Sequence, residues 1–309
     1  MEQIRLRPGM TVGQLVEEMD RCGVLGAGRV ARAVNVMVEM FSDPGYTVFL
    51  GLAGPMVAGG LRRIVGDLID HGYIDAVVTS GANVVHDVIE ALGYGHLKGS
   101  FMADDAGLRG EGLGRVGDVY IEQKAFEAFE RRMHETLDGL PEDKRGRMPF
   151  YQLLDELGKR LEDAESILAR ASKRGVPVFS PGLLDSMVGL HVWTYTQLKR
   201  LGLDPVGDLK RLSDVVFASE RVGAIMLGGG IPKHHILAAN ILRDGIDAAV
   251  QITLDRPEGG SLSGAPLEEA VSWRKARVGA RLVTVVGDAT AVFPIMVAAV
   301  LERMEKDPS

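Results

Sequence analysis

Lys275 stands in the segment VSWRKAR, 271–277, between Arg274 and Arg277 and two residues after Trp273. The chain holds ten lysines against 25 arginines and only two tryptophans, so this grouping is unusual within it. Neighbouring cations and partial burial both disfavour an ammonium. A lysine kept uncharged is a nucleophile suited to imine formation. The same residues also read as a solvated basic turn ahead of a strand. KHH, 233–235, follows a glycine triplet at the start of an expected helix. There His234 faces whatever the glycine loop binds, and the positive helix end favours a neutral imidazole base. An exposed histidine pair is the plain alternative. Adjacent histidines do not readily share one ion and no carboxylate pair stands near them, so no metal site is expected.

Several expected strands end in glycine or small polar residues: Gly51, then Ser80 and Gly81, then Gly228, Gly229 and Gly230, then Gly287 and Asp288. The carboxyl ends of parallel strands form one edge of a sheet, and ligands gather there. Glycines let backbone amides approach a phosphate, and the following helix N-terminus favours negative charge. The chain has no GxGxxG, and tight strand-to-helix turns without a ligand leave the same pattern. Asp185 and Asp288 each follow an expected strand. An acid there binds a ribose hydroxyl or caps a helix, and the two roles are compatible.

The elements that position these residues follow from periodicity. Residues 11–22, 28–41, 57–72, 84–92 and 289–305 read as helices, with another from about 233. TVFLGL (47–52), DAVVTS (75–80), VPVFS (176–180), VGAIMLGGG (222–230), AAVQIT (248–253) and RLVTVVG (281–287) read as strands. Strands spaced by helices imply an α/β fold, a mostly parallel sheet with helices on both faces. The stretch 96–165 is richer in charge and poorer in strands, with GLPEDKRGRMP (139–149) as an exposed loop. It reads as a helical and loop insertion within one domain spanning 1–309.

Composition excludes several classes. The formal net charge is −7, from 35 basic and 42 acidic side chains, which argues against a nucleic-acid surface and suits a cationic substrate. Cys22 is the only cysteine, so neither an intrachain disulfide nor a cysteine-based zinc site is expected. The opening MEQIRLRPGM lacks the order of a signal peptide, and no apolar run is long enough to span a bilayer. A cytoplasmic protein without membrane partners is the expectation.

From about residue 28 to 305 the chain resembles deoxyhypusine synthase. The resemblance is carried by LGGGIPKHHILAANILRDGIDAAVQI (227–252), SGAPLEEAVSWRKAR (263–277) and GDATAVFPIMVA (287–298). VFLGLAGPMVAGGLRRIV (48–65), VVTSGANVVHDVIEALG (77–93), LRGEGLGRVGDVYIEQKAFEAFE (108–130) and VPVFSPGLLDSM (176–187) add to it. It implies a Rossmann-like sheet, a homotetramer with active sites shared between subunits, and NAD as cofactor. It also implies transfer of an aminobutyl group from a polyamine, spermidine in the best-known members, through a lysine imine to an acceptor amine. The acceptor in that case is the hypusine-bearing translation factor. The imine-forming lysine of the family falls on Lys275, its catalytic histidine on His234, and its pocket tryptophan and one pocket glutamate on Trp273 and Glu269. Cofactor contacts fall on Gly54, Pro55, Ala58, Ser80, Gly81, Ala82, Asp185, Gly229, Asp288 and Ala289.

The chain departs from the family in the amine-binding half. Two anchoring aspartates fall on Leu190 and Leu262, and a glutamate pair on Val85 and His86. Pro55 replaces an asparagine and Ala58 a serine. Leucine cannot pair with an ammonium, and an unpaired desolvated charge costs several kcal/mol. A homospermidine synthase-like enzyme, or another transferase with a non-spermidine donor, therefore stands beside the first reading. A non-catalytic family member that holds NAD is the third.

Overall fold

The computed structural model describes residues 1–306. The chain divides into two compact units, where the sequence reading takes one domain. The first comprises residues 1–53, 73–78 and 212 onward, and the second 54–72 and 79–211.

The first unit is built on a parallel sheet. Its strands run in the order Ala76–Thr79, Tyr46–Leu52, Arg221–Leu227, Ile246–Thr253, Ala276–Val286. Leu52 pairs with Leu227, Leu227 with Ile252, and Ile252 with Val285, so the carboxyl ends share one edge. The central strands read as near-continuous apolar runs because both faces are covered. Two glycines mark those faces. A side chain at Gly51 would meet Ile236 of the Gly230–Ala239 helix, and one at Gly223 would meet Met40 of the Leu25–Ser42 helix. At the amino ends, Asp75 accepts from Val48 N at 2.7 Å and Asp247 from Val222 N at 2.8 Å.

The Ala276–Val286 strand begins five residues earlier than its sequence suggests. Ile246 pairs with Ala276 but Ala248 with Arg281, so residues 277–280 bulge outward. Gly279 takes φ +84° there. Lys275 thus leads straight into the sheet at its amino end.

The second unit is mainly helical, with helices Arg62–Asp70, Gly81–Ala91, Gln123–Asp138, Phe150–Gly158, Ile167–Arg174 and Met187–Thr196. The expected insertion lies inside it and contains a small antiparallel sheet that periodicity missed, Leu97–Lys98, Val119–Glu122 and Leu113–Val116. Its strands are short and half-exposed, so no apolar alternation announces them. Gly117, at φ +61°, makes the two-residue hairpin turn with Asp118.

Asp87, 1% exposed, ties the helices of this unit together. It accepts from Arg62 Nε at 2.7 Å, Ser166 Oγ at 2.8 Å, and the Ile167 and Leu168 amides at 3.0 Å each. It therefore caps the Ile167–Arg174 helix while pairing a buried guanidinium. Asp87→Ala should cost about 3–5 kcal/mol, the typical penalty for breaking a buried pair. Urea unfolding of the two chains measures the difference.

Candidate functional site

The candidate residues fall into a group in each unit. In the first unit, Lys275 follows the short Glu269–Ser272 helix and is half-buried. Its amide donates to Ala270 O at 2.8 Å and its carbonyl accepts from Ile246 N at 3.0 Å, so its backbone is fixed on both sides. Its Nζ stands 5.7 Å from the centre of the Trp273 ring. That ring is itself 68% exposed in the single chain. Arg274 takes the left-handed conformation, φ +55°, which turns the chain between the tryptophan and the lysine. Arg277 is not an unpaired cation beside Lys275, as the sequence suggests. It pairs with Asp247 at 2.7 Å instead.

His234 is exposed, a full turn inside the Gly230–Ala239 helix rather than at its tip. The helix end acts mainly within its first turn. Partial burial first, then the charge of Lys275, lower the His234 pKa from its ordinary value. A neutral imidazole and the lysine amino group are therefore electrostatic neighbours. His235 is half-buried, not the second member of an exposed pair, and its Nε2 has no partner among the described residues.

The group is held by a residue the sequence reading passed over. Lys233 is 2% exposed. Its Nζ donates to Leu262 O at 2.9 Å and Ala265 O at 2.6 Å. Burial lowers its pKa to about 8, against the opposing charges of Glu269, Asp255 and Glu268. Gln251, fully buried, donates to Gly228 O at 3.0 Å and Ser263 O at 2.8 Å. Ser263 Oγ accepts from Gly230 N at 2.7 Å. These bonds lock the loop carrying Leu262 against the helix carrying His234. The only sequence signal for Lys233 was a scarce lysine inside KHH.

They also change the reading of the glycine triplet. A side chain at Gly229 would collide with the Ser263 backbone, and the Gly230 amide is already bonded. Close packing against the 261–265 loop accounts for these glycines, not an open phosphate cradle. Asp288, at the same carboxyl edge, is exposed and accepts from the Thr290 amide at 2.8 Å and the Ala291 amide at 3.3 Å. It caps the Ala289–Lys306 helix, leaving Oδ2 free of that duty. Its Thr290 hydrogen bonds lower its pKa. Lys275 lies at the other end of the sheet, on the order of 20 Å away by the rise of an eight-residue strand.

The second unit holds the other group. Gly54 takes φ +75°, followed by Pro55 and the buried Ala58. The Gly81–Ala91 helix starts at Gly81, three residues before its expected start, and its N-cap Ser80 makes no side-chain cap. A side chain at Gly81 would strike Ser186 Oγ, which explains the glycine by packing. Ala82, His86, Asp185 and Leu190 line one cavity of about 760 Å³ with Val85, Phe126 and Trp193. Asp185 is exposed and is not a helix cap, since Ser186 occupies that position before Met187–Thr196. Among the described residues, no helix is long and apolar enough to cross a membrane.

Comparison with known proteins adds four findings. Residues 14–300 match the family model of deoxyhypusine synthase. A protein of Methanothermobacter thermautotrophicus named "Probable deoxyhypusine synthase" is 51% identical over 98% of both chains. One of the same name from Methanopyrus kandleri is 49% identical over 98% of both. A crystal structure from Entamoeba histolytica, provisionally named a deoxyhypusine synthase, superposes with TM-score 0.69 at 23% identity, covering 98% of this chain and 97% of that one. It bears out the mostly parallel sheet with helices on both faces.

Lys233 supplies a direct test of the locked loop. Its folded pKa of about 8 lies below its ordinary value, so folding disfavours the protonated form. The unfolded chain then binds more protons, and stability should rise as pH climbs from about 8 towards the ordinary lysine range. Below that window the contribution is flat. The rise should vanish in the difference curve against Lys233→Met, measured by urea unfolding at a series of pH values.

Proposed function

Since the chain belongs to the deoxyhypusine synthase family, we propose that it is an NAD-dependent transferase passing an aminobutyl-type group between amines through an imine on Lys275. The observation that carries this reading is the Lys275 amino group 5.7 Å from the centre of the Trp273 ring, with its charge felt at His234. Lys275 Nζ adds to the carbon of an oxidised amine, the amine half leaves, and the group rests on the lysine as an imine. The incoming acceptor amine then displaces Lys275. His234 accepts and returns protons at the amine nitrogens.

Bound NAD would accept a hydride from the donor carbon and return it to the product imine. In the second unit the residues that would hold it are Gly54, Pro55, Ala58, Ser80, Gly81, Ala82 and Asp185; the first unit has its own candidate positions, Asp288 and Ala289. The fit is good at Gly81 and Ala82. There a helix of 11 residues begins without a side-chain cap, and Asp185 offers an exposed carboxylate in the cavity that Ala82 lines. An uncapped helix start receives phosphate, and a free acid receives a ribose hydroxyl. Gly229 fits as a packing residue, because the neighbouring amide is bonded to Ser263.

A homotetramer with shared sites belongs to the same proposal. Lys275 and the Asp288 edge of one chain stand at opposite ends of the sheet. A cleft at that edge therefore needs its lysine from a second copy. The substrate is a polyamine or related amine, and the hypusine-bearing translation factor is the acceptor in the family's own reaction.

A second reading is favoured by one observation. Leu190 and Leu262 are exposed apolar groups where the resemblance implies carboxylates. A homospermidine synthase-like enzyme, or a donor with an apolar end, fits them better than spermidine. Leu190→Asp combined with Leu262→Asp should raise kcat/KM for spermidine at least several-fold; no gain in a folded, NAD-binding variant would defeat the anchor argument. Lys275→Arg should abolish the borohydride-trapped adduct formed with NAD and amine while leaving NAD affinity unchanged. His234→Ala should slow amine oxidation by roughly 10²-fold or more, as for a lost acid–base group. An adduct that persists in Lys275→Arg would refute the mechanism.

A further inference from the structure

The cavity of the second unit ends in a chain of hydrogen-bonded side chains that the proposed mechanism does not use. His86 Nδ1 lies 2.9 Å from His96 Nε2, and His96 Nδ1 lies 2.5 Å from Glu90 Oε1. Glu90 Oε2 is 3.5 Å from Arg62 Nη1, and that guanidinium also pairs with Asp87 and Asp163. The His86 and His96 side chains are nearly closed to solvent, with His86 lining the cavity.

The chain has a direction. Glu90, held by Arg62, is a pure acceptor, so His96 Nδ1 carries the hydrogen. With its hydrogen on Nδ1, the His96 ring turns an Nε2 lone pair to His86 Nδ1, which donates to it. The nitrogen then left to the cavity, His86 Nε2, is a lone-pair acceptor. Burial first and His96 second lower the His86 pKa to about 4, so the ring is neutral at ordinary pH. Around it stand Val85, Leu184, Leu190 and Trp193, walls suited to a methylene chain, with the Asp185 carboxylate on the same cavity.

We propose that His86 is a specificity-determining residue, whose Nε2 receives a neutral N–H or O–H group on an aliphatic amine, with His96 and Glu90 as positioning residues that set its tautomer. The inference rests on the transferase reading for the amine class alone. A neutral imidazole bonds a neutral donor well but cannot compensate a desolvated ammonium. A carboxylate in its place would prefer the cation.

The test measures binding by calorimetry in the Lys275→Arg chain, which cannot transfer, with and without NAD. The probes are spermidine and its two isosteres with one terminal ammonium replaced by hydroxyl. One isostere should bind more tightly than spermidine, and His86→Glu should reverse that order by about ten-fold or more, near 1.4 kcal/mol. His86→Leu should remove the isostere's advantage. Glu90→Gln should erode it while thermal unfolding still shows a folded chain. Imidazole nitrogen NMR should report His86 as the Nδ1–H tautomer. A parent that prefers spermidine, an order unmoved by both His86 variants, or an Nε2–H tautomer would overturn the proposal. So would a failure of every probe to bind while the wild type still forms its Lys275 adduct. Loss of that adduct with the binding order intact would instead sink the transferase reading and leave this one standing.

Discussion

The buried amino group of Lys233 bonds the carbonyls of Leu262 and Ala265, and the placement of the first unit's reactive side chains depends on it. The segment 254–275 carries Leu262, Glu269, Trp273 and Lys275 but contains only two helices of three and four residues. Such a segment has little backbone ladder of its own to define it. Lys233 and Gln251 supply the missing bonds from the adjoining helix and strand, and Ser263 within the segment accepts from the Gly230 amide. Burying an amino group costs free energy, which two carbonyl acceptors and the acids nearby offset. The result is a rigid platform joining His234 and the lysine it faces.

Arg62 and Asp87 play a comparable part in the second unit. Asp87 satisfies two helix amides, a hydroxyl and a guanidinium at once. The same guanidinium orients Glu90, and through it His96 and His86. The electrostatics of the cavity wall are therefore continuous with the bonds that stabilise the unit. A change made for specificity at His86 acts on a network that also holds the helices together.

Leu190, Leu262, Val85 and His86 stand where the resemblance implies charged amine-binding groups, and all four are neutral under the proposed reading. Lys275 and His234 are kept in the sequence, within the first unit. Chemistry and recognition occupy different side chains, so one can change while the other is kept.

The amino-acid sequence alone determined the sheet and its strand-end turns. Arg221–Leu227 and Ile246–Thr253 are buried on both faces, and such strands read as near-continuous apolar runs. It also singled out Lys275, His234 and Trp273 as candidates, because they fall within a long ordered resemblance. Only tertiary structure decided where charge is neutralised. Arg277 looks like a neighbour of Lys275 in the chain, yet it pairs with Asp247, on another strand. Gly229 and Gly230 look like a phosphate loop, yet Ser263, more than thirty residues on, fills that space. His96 and Glu90 carry no motif, and their relation to His86 arises only when helix Gly81–Ala91 and the loop after it pack together. Hydrogen-bond partners distant in sequence leave no local periodicity, so burial and pairing had to be read from the folded chain.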